Sequence, residues 1–271
     1  LNLSVDKKDN TFSGYLLRLD RGSNSDIKNI STFSSYSLRT KQIINIEYPG
    51  VSNLTPSIVE SIRQDFSKFE KALYSYDFDN EDYGYKEYID AESFADYFII
   101  NEFTCNYDAG WLSTYIYKDI DGKYRMCIWD FNSACDNYQE SMILPDHFEM
   151  QNCLWYFMLM KDEDFTDLII RRYRELRETY LSEEYLYNYI DDCITYLGDS
   201  VERNFDKWGY TFSPEYDPLT PADRNPRSYG EAVEQMKEFI KTRGEWMHEN
   251  IESLRQYSEN SKIKKFDEAA N

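Results

Sequence analysis

Two alternating runs, Ser113 to Lys118 and Lys123 to Trp129, flank the segment Asp119-Ile120-Asp121-Gly122. Alternation at period two predicts strands, and a short turn with Gly where φ must be positive predicts that they pair as an antiparallel hairpin. A hairpin returns the chain, so what enters and what leaves it emerge at one end. Asp108 enters through the breaker-rich loop Asn106-Tyr107-Asp108-Ala109-Gly110, and Asp130 leaves in Trp129-Asp130-Phe131-Asn132. This spacing predicts two carboxylates at one end of the hairpin, able to hold a divalent cation and orient a hydroxyl, as phosphoryl transfer requires. The alternative is plain: Asp108 as a turn residue and Asp130 as the cap of a following helical turn. Asn106 either turns the chain or orients Asp108.

The rest of the chain reads as α+β and mostly helical. Ser13 to Asp20 and Gln42 to Tyr48 are predicted strands, separated by a polar loop from Arg21 to Ser35. Thr55-Pro56 opens a helix with a hydroxyl cap and Pro at its first position, and Ile58, Ile62, Phe66, Phe69 and Leu73 share one face. Tyr76 to Tyr85 is loop-like. Asp90 caps a helix to about Phe103, with Phe94, Tyr97, Phe98 and Asn101 on one face. Further helices are expected over Met150–Met160, Phe165–Tyr180, Ser182–Trp208 and Ser228–Tyr257. A Pro-rich loop from Gly209 to Pro226 precedes the last, and a polar tail follows from Ser258. Arg171, Arg172, Arg174 and Arg177 are expected on a solvated face paired with carboxylates. Tyr185, Tyr187, Tyr189 and Tyr196, at helical spacing, are expected to be core and rim.

Composition removes several chemistries. The 271 residues carry 50 Asp and Glu against 30 Lys and Arg, a net charge of −20. Such a chain repels nucleic-acid phosphates and an anionic membrane surface. Its longest apolar run, Cys153 to Met160, is far too short to span a bilayer. Twenty-five Tyr and 16 Phe mark a folded chain rather than a disordered one. Five Cys form no C-x-x-C pair, which argues against a zinc ribbon or a thioredoxin-like site, and Cys153 is expected in the core. Two His without a G-x-S-x-G elbow make a hydrolase triad improbable, and neither a P-loop nor a dinucleotide fingerprint is present. Carboxylate chemistry remains, with glycoside hydrolysis by a carboxylate pair as a minor class that needs a sugar-sized cleft.

The stretch Tyr88-Ile89-Asp90-Ala91-Glu92-Ser93-Phe94-Ala95-Asp96-Tyr97-Phe98-Ile99-Ile100-Asn101-Glu102-Phe103 is followed by Asn106-Tyr107-Asp108, Ser113 to Asp119, Gly122-Lys123 and Trp129-Asp130-Phe131. Together these resemble the CotH family, the spore-coat-protein-H-like atypical protein kinases. Gly14 to Leu17 with Asp20, Ile46 to Pro49, Phe165, Arg172-Tyr173, Asn204, Trp208, Arg243 and Trp246 extend the likeness over most of residues 13 to 256.

The resemblance implies a kinase-like C-lobe with a small antiparallel sheet and a truncated N-terminal β portion. It implies ATP- and Mg²⁺-dependent phosphorylation of Ser/Thr hydroxyls on coat or surface proteins, in a bacterial parent located at the spore coat, at the cell surface or outside the cell. By it Asp108 is the catalytic carboxylate and Asp130 the metal ligand, with Asn132 a second metal candidate and Ser113 and Glu47 on the nucleotide side. Ser113 stands where the family often has Asn, and Asn132 where it often has Asp. Arg18 and Glu47 exchange the charges of the family's strand pair; they can still pair, but Glu47 cannot hold phosphates as Lys does. Residues 1–53 read as the remnant of an N-terminal β-rich portion, 54–257 as the helical lobe with hairpin 113–130, and 258–271 as the tail. The expectation is a fragment of weak or no activity, with a catalytically degenerate interaction module as the alternative.

Overall fold

The computed structural model describes residues 4–22, 25–30 and 43–259. The fold is α+β. Strands β1 (Val5–Asp6) and β2 (Thr11–Phe12) form a small antiparallel ladder. Strands β3 (Gly14–Asp20), β4 (Asn29–Ile30), β5 (Ile43–Tyr48), β6 (Thr114–Asp119) and β7 (Arg125–Cys127) form an antiparallel sheet in the order β4-β5-β3-β6-β7. The β6–β7 hairpin is thus the edge of a sheet whose other strands come from the first fifty residues. Alternation decides the faces: Tyr15, Leu17 and Leu19 are buried, while Leu16, Arg18 and Asp20 point to the other, half-exposed side.

Helix α1 (Pro56–Leu73) packs against the buried face. Thr55 caps it by accepting from Ile58 N, and Ile58, Ile62, Phe66, Phe69 and Leu73 are all buried. Asp65 of α1 accepts from Tyr15 Oη at 2.6 Å and from Lys118 Nζ at 2.7 Å, which ties the helix to β3 and β6. The core is aromatic: Phe66, Phe69, Phe94, Tyr124 and Trp155 meet with ring centroids 5.5 to 6.4 Å apart. Each such ring removed from water contributes about 1.5–3 kcal/mol.

Helix α2 (Ala91–Thr104), capped by Asp90, runs through the centre. Besides the expected face, Ala95, Ile99, Glu102 and Phe103 are also buried, as befits a helix surrounded by neighbours. It then ends abruptly. Cys105 takes a left-handed conformation (φ 45°), with Cys105 N donating to Glu102 O and Asn106 N to Asn101 O. This is the Schellman closure, in which Gly is the usual residue.

The helical body differs from the sequence reading where the backbone turns. Residues 150–160 do not form one helix. A 3₁₀ turn (Met150–Asn152) and a short α3 (Tyr156–Leu159) flank Leu154 at φ 44°. Helix α4 spans Glu163–Arg177. The expected Ser182–Trp208 helix breaks at Gly198 (φ +48°) into α5 (Glu183–Leu197) and α6 (Ser200–Trp208). Helix α7 (Tyr229–Asn250) passes through a 3₁₀ turn into α8 (Arg255–Glu259). Tyr185, Tyr189 and Tyr196 are exposed rather than core, because α5 buries none of its residues. Arg172 on Asp96 (2.9 Å) and Arg174 on Glu252 (2.7 Å) pair as expected, whereas Arg177, 14% exposed, turns inward against Phe103 and Gly244 while it pairs with Glu183.

In the expected 21–35 loop, Asn29–Ile30 instead pairs with β5 as β4. Residues 23–24, 31–42 and 260–271 lie outside the described residues, and so does most of the expected tail. In the hairpin turn the positive φ belongs to Asp121 (60°) rather than to Gly122. A short polar side chain tolerates that region, and a Cβ on Gly122 would lie 3.0 Å from Asp119 O. Among the described residues no helix is long and apolar enough to cross a membrane.

Candidate active site

The ladder sets the site. Leu19 pairs with Thr114, and Tyr115 with Cys127. Asp20, Ser113 and the Trp129-Asp130 segment therefore all continue from the same end of β3, β6 and β7. The loop that follows the Schellman closure of α2 delivers Asp108 to that end. Gly110 makes the delivery possible: at φ +82°, a Cβ there would lie 2.6 Å from Cys153 Cβ. Its N–H donates to Thr114 Oγ1 at 2.9 Å, which fixes the loop to the start of β6.

Ser113 (φ 48°) and Asp130 (φ 60°) both occupy the left-handed region, and Ser113 Oγ donates to Asp130 Oδ2 at 3.2 Å. Two non-glycine residues held in that region side by side mark a place where the fold sustains local strain. Asn106 does not reach Asp108 with its amide. Its Nδ2 donates to Asn101 Oδ1 (3.0 Å) and to Asp130 O (3.4 Å), so it ties the end of α2 to the segment after the hairpin. Its Oδ1 is buried without a hydrogen-bond partner.

Asp108 is half-buried and Asp130 exposed. Burial, and then the charge of Asp130, push the Asp108 carboxyl above its ordinary value. Arg21 opposes this, and Asp20 adds to it. Asp108 thus senses the charge of Asp130, and the end of β3 contributes one acid and one base to the same field. Arg21 was not singled out in the sequence; its signal was its place one residue beyond the alternating run that ends at Asp20.

Two further sequence candidates engage other partners. Glu47, on the half-exposed face of the sheet, is 3.3 Å from Arg18 and 3.0 Å from Lys28, so the exchanged charges do pair. Asn132 is exposed and lines a separate cavity of about 820 Å³ together with Asp136 and Arg224. All five cysteines are free. Cys153 is buried as expected, and burial pushes the thiols of Cys105 and Cys135 up to about 12.

Among the described residues no group of three or more His, Cys, Asp or Glu side chains converges to hold a metal ion. Asp130 and Ser113 still offer hard oxygen donors. Mg²⁺ commonly takes one or two carboxylates and completes its shell with phosphate oxygens and water. The donor set therefore suits a cation that arrives with a nucleotide rather than one caged by protein alone.

Beneath the site lies a buried ion pair that the sequence reading did not use. Arg243 of α7 donates to Glu102 Oε2 (2.8 Å) and Glu102 O (2.9 Å), and also to Pro145 O and His147 O. Glu102 Oε1 accepts from Glu149 N and Met150 N. Burial pushes the Glu102 carboxyl up, and Arg243 pulls it back. The sequence signal was there: a charge inside the apolar run of α2, and another between Ile240 and Met247.

Comparison with known proteins places these residues in context. A family model described as CotH kinase protein matches residues 3–247 of the chain. No curated protein matches it.

Proposed function

Because the chain belongs to the CotH kinase family, we propose that its site performs atypical protein-kinase chemistry, moving a phosphoryl group from ATP to a Ser or Thr hydroxyl of a protein. The observation that carries this reading is the placement of Asp108 and Asp130 at one end of the hairpin, where the charge of Asp130 helps to raise the Asp108 carboxyl. Asp108, half-buried, orients the acceptor hydroxyl and takes its proton. A raised carboxyl is a better base than an ordinary one, because basicity rises with pKa. Asp130, steadied by Ser113, holds the cation. Bound Mg²⁺ neutralises charge on the phosphates. The kinase-like lobe is then α2, the hairpin and the helices behind them, and coat or cell-surface proteins are the proposed substrates.

A second reading is a degenerate kinase used as an interaction module. It draws on Glu47, which engages both Arg18 and Lys28 on the open face of the sheet. Cations held by a carboxylate are less available to phosphate.

Calorimetry with ATP, with and without Mg²⁺, tests the choice on the 271-residue chain and its Asp130→Ala variant. Binding that needs both Mg²⁺ and Asp130 supports phosphotransfer. Binding indifferent to both counts against the assigned roles, and no binding by the folded chain favours the module.

A further inference from the structure

A cavity of about 670 Å³ opens beside Asp108, within the range of about 300–1,000 Å³ usual for ligand clefts. Trp111, Leu112, Met142, Ile143 and Leu144 supply apolar lining. Neither Ser113 nor Asp130 lines it. We infer that this cavity is an acceptor subsite, which takes an apolar side chain adjacent to the phosphorylated hydroxyl in a basic polypeptide. The inference rests on the phosphotransfer reading, which sets the acceptor hydroxyl at Asp108.

Three observations lead to it. First, Met142 and Leu144 are 50% and 49% exposed. A single exposed apolar residue means little, but two on the rim of one concave apolar cavity leave area that a bound apolar group would cover.

Second, the rim is pinned from below rather than free to collapse into the cavity. Asp136 accepts from Ile143 N at 2.6 Å. Arg243 holds the carbonyls of Pro145 and His147, and Glu102 holds the amides of Glu149 and Met150. The subsite is thus built on the buried ion pair and is preformed, which lowers the ordering cost of binding.

Third, charge selects the occupant. Asp108 and Glu149 are the carboxylates that charge the lining, beside His147 and Cys105, since the buried Glu102 is already answered by Arg243, and among the described residues no Lys or Arg lines the cavity. Asp130 and Asp20 add to the negative field at Asp108 while Arg21 opposes it, and the chain as a whole carries −20. A basic segment is drawn to such a surface and an acidic one is repelled.

The test uses fluorescein-labelled peptides with one central Ser, flanks of Lys and Arg or of Asp and Glu, and Gly, Asp, Leu or Phe next to the Ser. Anisotropy measures their binding to the chain, and transfer of labelled phosphate from ATP is followed in parallel. Leu or Phe peptides are expected to bind at least about tenfold tighter than Gly peptides, with Asp peptides weakest. Met142→Asp or Leu144→Asp should cut that preference below about threefold. Both positions are half-exposed, and thermal melts verify folding.

Equal binding of Gly and Leu peptides, or a preference that survives both substitutions, would overturn the subsite. Acid-flanked peptides binding as well as basic ones would do the same for the charge argument. Self-association lost in Leu144→Asp, with no peptide preference, would assign the face to a second copy instead. Selective binding without transfer would support the subsite while counting against phosphotransfer, and transfer without side-chain preference would do the reverse.

Discussion

Arg243 and Glu102 are 141 positions apart, yet the guanidinium donates to both the carboxylate and the backbone carbonyl of the same residue. Both side chains are almost entirely removed from water. The pair joins α7 to the last turn of α2, four residues before Asn106, and from there carries the segment that walls the cavity beside Asp108. Its contribution is less a gain in stability than a fixed geometry, since such pairs roughly offset their own desolvation.

Removing one partner is a different matter. Arg243→Ala strands the Glu102 carboxylate and frees the carbonyls of Pro145 and His147. The expected cost is about 3–5 kcal/mol, read as a lower urea midpoint with an unchanged slope. A loss below about 1 kcal/mol would show that the pair is not the anchor described.

Asp108 gives the chain a pH signature. Its folded carboxyl lies above the ordinary value of 3.8, so the unfolded chain loses this proton first as pH rises. Below that value both states are protonated and the group contributes nothing. Above it stability falls until the folded carboxyl also ionises, and the penalty then stays constant. Asp108→Asn should therefore melt higher than the native chain at pH 7, with the gap closing near pH 3 and below, while phosphate transfer drops by about 10²–10⁴. A melting temperature equal to the native one at pH 7 would speak against the burial and repulsion described for this site.

Gly110 is the tightest steric point of the loop. Gly110→Ala combines a positive φ with a Cβ 2.6 Å from Cys153 Cβ. Strain and overpacking each cost about 1–3 kcal/mol. We expect a thermal midpoint lower by several degrees and a displaced Asp108, seen as weakened nucleotide-dependent activity. Gly110→Ala combined with Cys153→Gly should recover part of the loss, and no recovery would place the cost in the backbone alone.

Ser113 already occupies the left-handed region that Asn enters more readily than most residues. Ser113→Asn exchanges a hydroxyl for a carbonyl oxygen, a better cation donor, beside Asp130. Mg²⁺-dependent ATP binding should tighten several-fold in calorimetry. Unchanged affinity would separate Ser113 from the cation.

Much of this molecule is written locally. The alternation of β3, β6 and β7, the cap and apolar face of α1, and the cap of α2 follow from side-chain periodicity and hydroxyl or carboxylate capping, which act over a few residues. The same local logic set Asp130 at the open end of the hairpin, and the loop that Gly110 fixes to the start of β6 brings Asp108 to that end. Local signals failed at Gly198, which splits the expected 182–208 helix, and where the backbone takes left-handed turns at residues other than Gly. Cys105 closes α2, Leu154 breaks the expected 150–160 helix, and Asp121 rather than Gly122 carries the hairpin turn. Each is a conformation of modest cost that surrounding packing pays for, and composition does not advertise it.

Only the tertiary structure decided the rest. It joined β3 to β6 across a hundred residues and so brought Asp20 and Arg21 into the field of Asp108. It turned Asn106 toward Asp130 O rather than toward Asp108. It also set Arg243 against Glu102 to fix the wall of the adjoining cavity. These are contacts between segments far apart in the chain, and their partners are chosen by which apolar faces must be buried against one another.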